Sequence, residues 1–146
     1  MRSQINWWRI VGIFIIIGLI IGVVVWSVMS QVSDHYAMTD PKLHQLRNHL
    51  QDLHPVIEGV SISRGNKSYT INKSKVHLCL YDENGKYYDD NMLIYVFIHE
   101  LAHCITESIG HTDEFHKNFN ELLEKADVMG LYDSSIPPLD NYCGHD

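Results

Sequence analysis

Asn91-Met92-Leu93-Ile94-Tyr95-Val96-Phe97-Ile98-His99-Glu100-Leu101-Ala102-His103 is an apolar run, free of Gly and Pro, that turns polar at three positions near its end. The run reads as a buried helix, with Asp90 or Asn91 as its N-cap. On a helix, residues four apart stand one above the other on the same face. His99 and His103 therefore present two imidazoles to one point, with Glu100 beside them. Two histidines and a glutamate buried in an apolar helix are costly unless something satisfies them. By composition this chain would contain such a motif by chance only about 0.03 times. The pattern points to a metal site, for which Zn²⁺ is the expected ion.

Such a site needs a third protein ligand and an open position for water. Thr106 and Ile109 stand three and six residues past His103, so an extension with Gly and His at those positions is absent. Downstream runs Gly110-His111-Thr112-Asp113-Glu114-Phe115-His116-Lys117-Asn118-Phe119. Gly110 is expected to end the motif helix, and Thr112 to cap the next one, Thr112 to Met129. His111 then lies in the turn between the helices and can fold back onto the metal. His116 is an alternative third ligand, and Glu121 or Glu124 offers a carboxylate arrangement from the second helix. Phe115, Phe119, Leu122, Leu123 and Ala126 carry helical core spacing in that element. Asp113 and Glu114 read first as helix N-terminal charges, with a role behind a ligating imidazole as the rarer use.

His99-Glu100-Leu101-Ala102-His103, a short spacer, then Gly110-His111-Thr112 with Phe115 and Phe119, resembles the WLM/SprT-like branch of zinc metallopeptidases. The stretch Val76 to Tyr88 and the terminal Tyr142-Cys143-Gly144 are similar to small WLM-like proteins of large DNA viruses. The resemblance covers Lys73 to Gly144. It implies a minimal zincin with His99, His103 and His111 as zinc ligands and Glu100 as catalytic base. It also implies a C-terminal strap over the cleft, with Tyr142 as a donor to the transition-state oxyanion. By the same resemblance the strand Lys75–Tyr81 is the sheet edge along which an extended peptide substrate adds. The chain departs from its cellular likenesses in lacking a basic stretch and in carrying a membrane segment.

That segment is the second strong signal. Ile10 to Met29 holds no charged residue, and at 1.5 Å per residue it reaches about 30 Å, one bilayer core. Trp7, Trp8 and Trp26 sit near its ends, as interfacial anchors do. No small-x-small cleavage pattern follows, so an uncleaved single span is expected. Arg2 and Arg9 precede the span, which predicts a cytosolic N-terminus and a lumenal or external catalytic domain. Asn66-Lys67-Ser68 and Asn72-Lys73-Ser74 would then be glycosylation sequons. Cys79 and Cys143 could pair in an oxidising compartment, whereas Cys104 reads as packed core.

The domain plan is a flank over 1–9, the membrane helix over 10–29, a polar linker over 30–39 and a single α+β domain over 40–146. In that domain Asp40-Pro41 opens a helix with Leu43, Leu46, Leu50 and Leu53 on one face. Val60–Ser63 and Tyr69–Ile71 alternate as strands, and Asp82-Glu83-Asn84-Gly85 closes the strand Lys75–Tyr81 as a turn. With 18 acidic against 11 basic residues the net charge is −7. That balance disfavours a phosphate backbone as partner, so no nucleic acid is expected and the partners are a protein or peptide substrate and a membrane. The expected activity is zinc-dependent peptide-bond hydrolysis. The alternative is a catalytically silent zinc-binding membrane scaffold that binds protein partners through its cleft.

Overall fold

A computed structural model describes residues 7–38 and 40–144. The chain divides into two compact units, Met1–Tyr36 and Ala37–Asp146. The first is a single helix, α1 (Trp7–Met38), within which Trp7–Gln31 is long and apolar enough to cross a membrane. Its large side chains, among them Phe14, Ile17, Leu19 and Val24, are exposed. The expected linker over 30–39 differs from what is observed, because α1 runs on through it to Met38. The stretch contains neither Gly nor Pro before Pro41, so nothing in its backbone chemistry stops the helix earlier.

The second unit begins with α2 (Pro41–Leu50). Pro41 occupies the first turn, where its missing N–H costs nothing, and the Asp40 carboxylate accepts from Lys42 N. Asp40 is buried and also takes the hydroxyls of Tyr81 and Tyr87 at 2.8 and 3.0 Å, which satisfies its charge. Leu43, Leu46 and Leu50 face the core, and Leu53 follows them inside. A single helical turn, α3 (Val56–Gly59), leads into the sheet.

The sheet has three strands, β1 (Ser61–Arg64), β2 (Tyr69–Ile71) and β3 (Lys75–Leu78), in the order β1-β3-β2. β3 pairs parallel with β1, Ile62 opposite Val76, and antiparallel with β2, Thr70 opposite Val76. This corrects the expectation that Lys75–Tyr81 forms the edge: β3 is central, and β2 is an edge. The turn between β2 and β3 decides it. Asn72 and Lys73 both take positive φ, 49° and 54°, the backbone that a tight antiparallel hairpin needs. The hairpin fixes β2 to one side of β3 and leaves the other for β1. The strand also stops short of Tyr81, since Cys79 N turns to the Ser68 hydroxyl, while Tyr81 makes only an isolated bridge to Tyr87.

The motif helix α4 (Asp90–Ile105) packs between this sheet and α5 (Asp113–Val128). Its N-cap is Asp89, one residue before the expected start, accepting from Met92 N at 3.0 Å. Leu93, Phe97, Ile98, Leu101 and Ala102 are sealed from solvent, so the helix is the centre of the core. From α5, Phe115, Phe119, Leu122 and Ala126 pack inward, and Gly130 takes the positive φ (68°) that lets the chain leave the helix. The tail is a strap. Tyr142–Gly144 forms one 3₁₀ turn, Cys143 is disulfide-bonded to Cys79, and Cys143 N donates to the Tyr88 hydroxyl. The architecture is α+β, as expected.

Candidate metal centre

His99 and His103 project from one face of α4, and His111 comes from the loop beyond it. One nitrogen from each lies within 4.8 Å of the others, and the Nε2 atoms of His99 and His111 are 3.0 Å apart. A tetrahedral ion bound at about 2.1 Å separates its donors by about 3.4 Å. The three imidazoles could therefore hold a metal ion with little rearrangement.

The loop that carries His111 is fixed from both ends. α4 ends at Ile105, where Thr106 caps it through its own N–H and hydroxyl, both donated to Ala102 O. Gly110 is thus not the helix stop expected of it; it lies five residues later, with φ 87°, and turns the chain into His111. Glu114 braces the loop by accepting from Glu107 N, Ser108 N and Ser108 Oγ. This also fixes the role of Glu114: it holds loop backbone, not an imidazole. Asn118 donates to Thr106 Oγ1 at 3.0 Å from α5. Phe115 forms the floor, stacked on His103 at 4.3 Å between centroids and edge-on to His111 at 4.7 Å.

His99 is driven down to about 4 by burial and by repulsion from the other histidines, and His103 is lowered for the same reasons. Both are neutral at physiological pH, the protonation state that ligates a metal. Glu100 is only 5% exposed, and burial pushes its carboxyl up to about 7, against the pull of a hydrogen bond from Thr70. Thr70 Oγ1 stands 2.7 Å from Glu100 Oε2. Beside them, the Cys104 thiol is pushed up to about 11 by burial and by the charge of Glu100, so it stays protonated.

His99, Glu100, His103 and His111 all line one cleft of about 570 Å³, with Thr70 and Tyr69 on its β2 wall and Lys73, Ile109 and Gly110 at its rim. His116 lies outside the triad, its ring 6.3 Å from that of His111. Glu121 is exposed and pairs with Lys117, and Glu124 is exposed. Tyr142 does not line the cleft. Its buried hydroxyl is committed to the Cys79 carbonyl and to Ser68 Oγ, so it is a strap anchor and not a free oxyanion donor. Likewise the strap closes over the core at Cys79 and leaves the histidine cleft open.

No family model and no solved structure matches the chain. It is 42% identical over 91 residues to the uncharacterized protein 136R of Invertebrate iridescent virus 6, covering 60% of this chain and 51% of that one. To the uncharacterized protein 042R of Invertebrate iridescent virus 3 it is 43% identical over 95 residues, covering 64% and 59%. To the uncharacterized protein R325 of Acanthamoeba polyphaga mimivirus it is 35% identical over 82 residues, covering 53% and 41%. All three relatives are viral proteins, and the chain spans about half the length of the relatives it matches.

Thr70 escaped the sequence reading. The alternation of Tyr69-Thr70-Ile71 places Thr70 on the face opposite its neighbours. What that face meets depends on the packing of β2 against α4.

Proposed function

We propose that the chain is a membrane-anchored, zinc-dependent metallopeptidase that hydrolyses peptide bonds in proteins or peptides close to its membrane. The observation that carries this reading is the shared cleft: the Glu100 carboxylate opens into the same cavity as the three converging imidazoles. A purely structural metal site has no use for a carboxylate held there. The donor set suits zinc, being three imidazoles with a position left open. Bound there, zinc supplies a Lewis acid for the scissile carbonyl and lowers the pKa of a water toward neutrality.

The chain's own residues do the rest. His99, His103 and His111 hold the ion. Glu100 takes the proton from the attacking water as the new C–O bond forms, then passes it to the amine nitrogen as the C–N bond breaks. β2 offers the unpaired backbone of an edge strand beside the cleft, to which an extended peptide can add. This is the reading of a minimal zincin of the WLM/SprT-like kind.

The helix Trp7–Gln31 supports the anchor. Arg2 and Arg9 ahead of its apolar run favour a cytosolic N-terminus, and the Cys79–Cys143 disulfide supports an oxidising compartment for the rest. The full chain in detergent, loaded with zinc, is tested on casein and a peptide library against Glu100→Gln. Cleavage that is lost in the variant while zinc is retained supports the reading. Zinc binding without cleavage in either form favours the scaffold, and failure to bind zinc removes both.

A further inference from the structure

Resting on the peptidase reading, we propose that Thr70 is the positioning residue for Glu100, its hydroxyl tying one carboxylate oxygen to the edge strand and leaving the other for the cleft. The contact is 2.7 Å, from Thr70 Oγ1 to Glu100 Oε2, a short hydroxyl–carboxyl bond, and the same hydroxyl stands farther, at 3.1 Å, from the Glu100 backbone carbonyl. Oε1 has no partner among the described residues, yet it is not a sealed, orphaned atom. With Oε2 taken by Thr70, Oε1 is the oxygen left for the cleft that Glu100 lines.

The torsion that rotates a glutamate carboxylate is soft, so an unrestrained Glu100 would sweep its oxygens through a broad range. Thr70 removes that freedom. Its own side chain is β-branched and stiff, which makes it a better fixed donor than a longer side chain. The strand behind it is pinned on both sides. Lys73 donates to the carbonyls of Thr106 and Glu107 at 2.6 Å each, where α4 ends. At the other end Ser68 Oγ receives Cys79 N and meets the Tyr142 hydroxyl at 3.0 Å. Thr70 is the one residue of β2 whose side chain bonds Glu100; Tyr69 and Ile71 are exposed, and the Tyr69 ring stacks on His77. Orientation of this kind acts on the chemical step, because it holds the base in its productive pose before the substrate arrives.

The test uses the full chain in detergent with Thr70→Val, which keeps the shape and loses the hydroxyl, and Thr70→Ser, which keeps the hydroxyl. With zinc loaded, Thr70→Val is expected to lower kcat by about 10–100-fold, with KM and zinc content close to wild type, and Thr70→Ser to restore most of the rate. Unchanged kcat in Thr70→Val, or an equal loss in both variants, overturns the proposal. A second readout needs no turnover. In the Co²⁺-substituted protein, Thr70→Val should shift the visible bands of wild type but leave those of Glu100→Ala unmoved. The same shift in both backgrounds, or none in either, overturns the link to Glu100. A wild type that cleaves nothing sinks the peptidase reading alone, and the Co²⁺ comparison still decides the role of Thr70.

Discussion

His99 Nε2 and His111 Nε2 meet at 3.0 Å, although one residue sits in the middle of the core helix and the other in the loop beyond its end. The loop reaches back because Glu114 and Asn118 on α5 hold its backbone and its cap. The third donor is therefore built by the second helix as much as by its own sequence position.

Metal affinity should divide the histidines. Replacing His99, His103 or His111 with Ala is expected to weaken Zn²⁺ binding by more than the ~10–100-fold typical of losing an outer partner. His116→Ala should bind like wild type. Competition titration with a chromophoric chelator measures this, and an equal loss at His116 would show that the triad is misassigned.

Zinc should also stabilise the fold by mass action. At a free concentration about 100 times Kd the gain is about 2.7 kcal/mol, and in a domain near 100 residues each kcal/mol is worth about 4–8 °C. A rise in Tm of roughly 10–20 °C is expected for wild type and none for His103→Ala. Thermal melts with and without a chelator read it directly.

The metal-free protein should show opposing pH slopes. The folded-state pKa of Glu100, about 7, lies above its ordinary 4.5, so its contribution to stability is complete below 4.5 and is lost as pH rises through 7. His99 runs the other way. Its folded-state pKa of about 4 lies below 6.5, so stability is lost as pH falls from 6.5 toward 4. Glu100→Gln should abolish the first slope and gain, relative to wild type, on the order of 2–3 kcal/mol between pH 5 and pH 8. Urea denaturation across that range tests the sign; a variant with the wild-type slope would contradict it.

Reduction should loosen the strap. The Cys79–Cys143 bond closes a loop with a sequence separation of 64, and chain-entropy arguments give a loss of about 4 kcal/mol when it is removed. Cys79→Ser should lower Tm to the value of the reduced wild type, with no further drop on adding reductant. Cys104→Ser, at the free thiol, should keep the full response to reductant.

The sequence by itself determined the local parts. Hydropathy fixed the helix that can cross a membrane, because length and the absence of charge are properties of consecutive residues. The period of the apolar run fixed α4, and its i, i+4 spacing alone put His99 and His103 on one face. Thr112 as the cap of α5 was legible for the same reason: a cap bonds within its own turn. What needed the tertiary structure was every relation between elements. Strand order was not legible, since alternation in β3 is the same whether it lies at the centre or the edge, and two left-handed residues at Asn72 and Lys73 decided it. Nor was the partner of Glu100, because a threonine in a three-residue strand carries no signal until the strand is laid against α4. The fate of Tyr142 was settled in the same way, by a disulfide and a buried hydroxyl that draw the tail to Cys79 and away from the metal cleft. Periodicity and caps are short-range effects of backbone geometry, whereas register, edge and hydrogen-bond partner depend on which surfaces are buried together.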